Sequence, residues 1–105
     1  MRVRLSPAAR SYLLQEASYL RARSRHASAA FMERMKTAFA DLAAFEGMGF
    51  PGEELPVPNM RRLVRAGYRI DYTIEQSEVW VVAVSSSINV PLDTPDDDFN
   101  YEGDG

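Results

Sequence analysis

The apolar positions of this chain recur first every second residue, then at helical spacing, then every second residue again, and each period predicts a different element. Met1–Leu5 alternates, with Val3 and Leu5 against Arg2 and Arg4, as a short strand burying one face does. Ser6-Pro7 then supplies an N-cap and a first-turn proline, so a helix starts there. Ala9, Leu13, Ala17 and Leu20 follow one face of that helix, with Tyr12 and Tyr19 beside it. It is expected to end near Arg23–Arg25, where Arg21, Arg23 and Arg25 suit the carboxyl end of the helix dipole. A second helix is expected from Ala27 to Phe45, striped by Phe31, Met35, Ala38, Phe39, Leu42 and Phe45 and closed by Gly47 and Gly49. The short link between the two predicts an antiparallel helical hairpin.

Glu46–Asn59 holds three glycines and three prolines without periodicity and reads as the long connection of the domain. Turn signals at Ala66-Gly67 and Gln76-Ser77 then divide three strands, about Met60–Arg65, Tyr68–Glu75 and Glu78–Ser85. In the middle strand Tyr68, Ile70, Tyr72 and Ile74 share one face, and Arg69, Asp71, Thr73 and Glu75 form a polar face expected to meet solvent or a partner. Val79–Val84 is apolar on both faces, as in an interior strand covered on both sides. The predicted architecture is α+β, in the order βααβββ, with the hairpin packed on a small antiparallel sheet. Residues 1–87 form the domain, and 88–105 form an acidic, proline-interrupted tail not expected to build a regular element.

Composition narrows the chemistry. A chain of 105 residues, 46% of them apolar, has room for one core. The absence of cysteine removes disulfides, thiolate metal sites and cysteine nucleophiles, and suits a reducing compartment. Residues 1–25 contain no signal-peptide type of apolar run, and no stretch approaches the roughly 20 residues of a membrane span, so a cytoplasmic protein with no membrane partner is expected. The net charge of −3 hides a division, because six of fifteen acids follow Leu92. Residues 1–92 carry twelve cations against nine acids, a net +3, and eleven of those cations are arginine. Arginine's planar donor fork suits carboxylates and phosphates. A basic body with an acidic tail calls for an anionic partner, an internal one, or both.

The segments VRLSPAA at 3–9, opening the first helix, and GYRIDYTI at 67–74, leading into VWVVAV at 79–84, together resemble the ParE/RelE toxin superfamily, and the resemblance favours its ParE-like branch. It covers about residues 1–84. It implies the toxin of a bacterial type II toxin-antitoxin system, neutralised by a cognate antitoxin. The ParE-like branch inhibits DNA gyrase, whereas the RelE-like branch is a ribosome-dependent endoribonuclease that cuts messenger RNA. A relative that binds antitoxin without being toxic is the third possibility.

Cutting RNA needs a base for the 2′-hydroxyl and cations for the phosphate. Arg61, Arg62, Arg65 and Arg69 lie on the two strands where RelE-like enzymes place basic residues. The last strand, where that branch places an arginine or histidine, instead reads Ser85-Ser86-Ser87-Ile88. This departure argues against nuclease activity, and direct nucleic-acid binding is not expected unless the chain is RelE-like. The four arginines are expected either to bind an acidic antitoxin segment or simply to keep a sheet face solvated. On the hairpin, Tyr12, Tyr19 and Arg23 are the candidate antitoxin contacts, with Phe31 added only if its side chain is exposed. His26, with no nucleophile or carboxylate near it in sequence, reads as a surface histidine. Trp80 reads as a core ring. Asp96-Asp97-Asp98 lacks the spacing of a calcium loop, and no catalytic residue, metal or cofactor is expected. A sharper reading of the tail has it folding back on the basic sheet.

Overall fold

A computed structural model describes residues 1–51 and 59–87, and the tail lies outside the described residues. Strand β1 (Arg2–Leu5) leads through Ser6 into helix α1 (Pro7–Arg23). Ser6 Oγ accepts from the Ala9 N–H at 3.0 Å and donates to the Val82 carbonyl at 2.6 Å, so the residue that starts the helix also ties it to the sheet. Helix α2 (Arg25–Ala44) follows after a single residue. The Ser24 N–H closes α1 on the Leu20 carbonyl at 2.8 Å, and its Oγ opens α2 by accepting from the Ala27 N–H at 3.1 Å. Such a tight link forces the helices side by side. Ser28 Oγ fastens them by donating to the Ala17 carbonyl at 2.8 Å.

Four strands complete the sheet: β2 (Phe50–Pro51), β3 (Arg61–Arg65), β4 (Tyr68–Glu75) and β5 (Glu78–Ser86). Their order is β1-β5-β4-β3-β2. The two expected turns are present, with positive φ at Ala66 and Gly67 and again at Gln76 and Ser77, the handedness that matches twisted hairpins. Two details differ from the sequence reading. Strand β1 pairs in parallel with β5, so the sheet is mixed. Alternation tells which face of a strand is buried and carries nothing about a neighbour's direction. Strand β2 was hidden inside the Pro/Gly connection, and its proline is tolerated because it lies at the edge.

The core lies between the hairpin and one sheet face. Ala9, Leu13 and Ala17 of α1 and Phe31, Met35, Ala38 and Leu42 of α2 meet Leu63, Ile70, Tyr72, Val79, Val81 and Val84. Between β4 and β5 the register shifts, Asp71 opposing Ala83 and Tyr72 opposing Val81, so Val82 is the extra residue of a bulge. That bulge returns Val84 to the buried face with Val79 and Val81 and aims the Val82 carbonyl at Ser6. The polar face of β4, expected to meet solvent or a partner, is covered at its middle: Asp71 is 9% exposed and Thr73 5%, whereas Glu75 is exposed and Arg69 half-buried. Asp71 and Thr73 are short side chains in a strand flanked on each side, and Arg62 lies over Asp71.

Candidate functional site

Tyr12, Glu16, Tyr19 and Arg23 recur at four, three and four residues along α1 and therefore share one stripe. At its near end the stripe joins the sheet. Tyr68 of β4 donates its hydroxyl to Glu16 Oε2 at 2.5 Å, and its ring meets Tyr12 edge-on at 6.4 Å and Phe31 at 5.0 Å. Burial, together with the Glu16 carboxylate that accepts its proton, pushes the Tyr68 phenol well above its ordinary range. Burial first, and the Glu16 charge second, also raise Tyr12. Both hydroxyls therefore stay protonated at neutral pH, and that of Tyr68 is the donor to Glu16.

The far end is open. Tyr19 is 57% exposed, and Arg23 both donates Nη1 to its hydroxyl at 2.5 Å and lies 5.2 Å from its ring centroid. The pair presents a ring already holding a guanidinium in place. Phe31, by contrast, is only 2% exposed and belongs to the core, so the condition set for its binding role is not met.

The four sheet arginines do not share a surface. Arg61 and Arg65 alternate with buried Leu63 and so face the helices, whereas Arg62 and Arg69 lie on the opposite face. Each already has a partner. Arg65 Nη1 bonds Asp41 of α2 at 2.7 Å, and Arg61 donates to the carbonyls of Gly47 (3.1 Å) and Gly49. Arg62 grips Asp71 with two bonds, Nε to Oδ1 at 2.7 Å and Nη2 to Oδ2 at 3.0 Å. Arg69 Nη2 donates to the Ser86 carbonyl at 3.1 Å.

Two features escaped the sequence reading. Trp80 is not a core ring: it is half-buried on the outer sheet face, with the Arg4 guanidinium 5.0 Å from its centroid and Arg4 Nη1 3.5 Å from Glu78. Arg2, Arg4 and Arg10 line an open hollow around that ring. The alternation of β1 had placed Arg2 and Arg4 on its polar face but could not show that Trp80, on a neighbouring strand, would lie beside them. The second feature is a cleft between the start of α2 and the β3–β4 turn, bordered by His26 and Arg34. His26 is exposed, as read from the sequence. Among the described residues no three His, Cys, Asp or Glu side chains cluster as a metal site, and no helix is long and apolar enough to cross a membrane.

A helical hairpin laid on one face of a mixed sheet, with paired aromatic and cationic groups on its outer surface, defines a small α+β fold suited to contact with another macromolecule. A family model described as the ParE toxin of the type II toxin-antitoxin system, parDE, matches residues 3–88, and the chain belongs to that family. A solved structure titled "Chromosomal ParDE TA system from P. aeruginosa" is similar in fold, with a TM-score of 0.68 at 16% identity, over 82% of this chain and 95% of that one. No curated protein sequence matches the chain.

Proposed function

We propose that the chain is a toxin that inhibits DNA gyrase by binding it and is neutralised by a cognate antitoxin. Family membership supports the toxin role and an antitoxin partner. The observation that carries the non-enzymatic reading is the employment of the sheet arginines. An RNA-cleaving site needs cations held ready for a phosphate whose charge grows in the transition state, and a base beside them. Here Arg61, Arg62, Arg65 and Arg69 hold carbonyls and carboxylates of their own chain, and the last strand runs out in Ser85-Ser86. Diverting Arg62 to a phosphate would leave the Asp71 carboxylate buried and unpaired, at a cost of about 3–5 kcal/mol.

The antitoxin contact is the α1 stripe. Tyr19 offers apolar area, and Arg23 has guanidinium donors left over for a carboxylate, a pairing that suits an amphipathic acidic segment. Tyr12 extends the stripe toward the sheet. The outer edges of β1 and β2 are where such a segment can add a strand.

Purified chain added to a gyrase supercoiling assay tests the reading directly. Inhibition relieved by the antitoxin encoded beside it is expected. Full supercoiling activity, together with codon-linked messenger RNA cuts in a translating extract that vanish in Arg65→Ala and Arg69→Ala, would replace it with the nuclease. Normal growth on induction without antitoxin would leave a non-toxic partner protein.

A further inference from the structure

The strongest unassigned feature is the junction of the hairpin with the cleft below it. No acid occurs between Glu16 and Glu33, whereas Arg21, Arg23, Arg25 and His26 all fall there and all are exposed. Among the described residues no carboxylate pairs with Arg21, Arg25 or Arg34. Arg62 and Arg65 of the sheet, by contrast, are each paired with a carboxylate. Beside this end of the hairpin lies an open cleft of about 330 Å³, walled by Leu20, Ala27 and Ala30, with Arg34 at its border and Tyr68 and Ser86 on the sheet side. That is the small end of the range for ligand sites, and fits a few aliphatic side chains.

We infer that this cleft and the basic junction above it dock the chain's own acidic segment, residues 88–98. Three observations select that occupant. The described chain ends at the cleft: Ser86 lines it, and the Ser87 N–H donates to the Gly67 carbonyl at 2.9 Å, which fixes the point of departure. The order of residues beyond that point matches the surface. Ile88, Val90 and Leu92 come first, at the alternate spacing that puts them on one side of an extended chain, and Asp93, Asp96, Asp97 and Asp98 follow. The reach also fits. Residues 88–92 span about 17 Å when extended. Along α2 the rise from Phe31, which touches Tyr68, back to Arg25 is about 9 Å. Apolar side chains thus enter the apolar cleft and the aspartates arrive among Arg21, Arg23 and Arg25. The expected cradle on the sheet is replaced by this one because the sheet arginines are already bound.

The contact shares Arg23 with the proposed antitoxin stripe, so the segment and the antitoxin would compete there. Its test involves neither gyrase nor antitoxin and stands or falls separately from the proposed function. The chain lacks cysteine, so Asp97→Cys gives one attachment point for a spin label on the full-length protein. Paramagnetic loss of amide peak intensity is expected at Ala27, Ala30, Arg34 and Gly67 and not at Arg2–Leu5. It should disappear in Arg21→Glu/Arg23→Glu/Arg25→Glu, and also in about 1 M salt, where the screening length falls to about 3 Å. The salt arm keeps the test decisive if the triple variant disturbs the helices. Broadening spread evenly over the surface, centred on β1 and Trp80, or insensitive to both salt and charge reversal would overturn the inference. So would broadening that arises only between labelled and unlabelled copies in a mixed sample.

Discussion

Tyr72→Phe tests whether the turn after α2 is held from inside the core. Tyr72 is fully buried, and its hydroxyl serves two backbone groups of that turn. It accepts from the Gly49 N–H at 2.9 Å and donates to the Glu46 carbonyl at 2.7 Å. Removing the oxygen leaves the buried Gly49 N–H without an acceptor, at about 1–3 kcal/mol, and loses a second hydrogen bond worth about 1 kcal/mol. Glu46 is half-buried, so its carbonyl can turn toward water, and a total of about 2–4 kcal/mol follows. Against a typical domain stability of about 5–15 kcal/mol this is a large fraction. At about 4–8 °C per kcal/mol the midpoint should fall by about 8–32 °C. A thermal melt followed by far-UV circular dichroism measures that fall, and urea unfolding measures the free-energy loss, with an unchanged m-value licensing the comparison. Gly49→Ala supplies the second arm. A Cβ there would sit 2.7 Å from the Arg62 carbonyl oxygen and 2.8 Å from the Tyr72 hydroxyl. Because Tyr72→Phe clears only the second obstacle, the double variant should lose less than the sum of the singles yet remain less stable than Tyr72→Phe alone. A Tyr72→Phe loss within about 0.5 kcal/mol, the ordinary range of a surface change, would refute the reasoning.

Ser6→Ala removes both the cap of α1 and the bond to Val82, and should cost about 1–2 kcal/mol by urea unfolding. Because the folded phenol of Tyr68 titrates above its unfolded value of 10.0, the folded state keeps a proton that the unfolded chain has lost. Stability should therefore be undiminished below pH 10 and decline as pH rises beyond it, and Tyr68→Phe should flatten that decline in alkaline melts. Tyr19→Ala and Arg23→Ala should each weaken antitoxin binding by about tenfold or more, as truncated aromatic and arginine anchors do, with little change in melting temperature; calorimetric titration and thermal melts separate the two effects. Asp71→Ala should destabilise strongly, because it leaves Arg62 half-buried without its carboxylate, and chemical denaturation should show a loss of about 3–5 kcal/mol.

Much of the fold could be read from period alone. Ala9, Leu13 and Ala17, and Phe31, Met35, Ala38 and Leu42, are the buried stripes that their spacing announced, and Ser6-Pro7 is the helix start. The residues that misled are those whose environment depends on a neighbour distant in sequence. Asp71 reads as meeting solvent or a partner because its own strand alternates, and it is buried with Arg62 of the adjacent strand folded over it. Trp80 looked like core because VWVVAV is apolar throughout, yet alternation puts it opposite Val79 and Val81, where Arg4 reaches its ring. The four sheet arginines looked like one patch because they are close in sequence; strand parity divides them between two faces. Tyr12, Tyr19 and Arg23 share one stripe of α1, a relation that helical spacing alone carries, and Arg23 donates to the Tyr19 hydroxyl.

The division of the arginines also decides what kind of surface each can be. A guanidinium bonded to a buried carboxylate, as Arg62 is to Asp71, must be released before it can bind anything else, so it specifies the fold before it recognises a partner. One that lies on an exposed ring, as Arg23 does on Tyr19, has surrendered some entropy already and loses little when a carboxylate arrives. The first kind sits on the sheet, where a nuclease would need mobile cations, and the second sits on the hairpin, where an acidic peptide can lie along a helix. Recognition should therefore depend on salt through Arg21, Arg23 and Arg25 and hardly at all through Arg62, whose bond to the buried Asp71 is sheltered from screening.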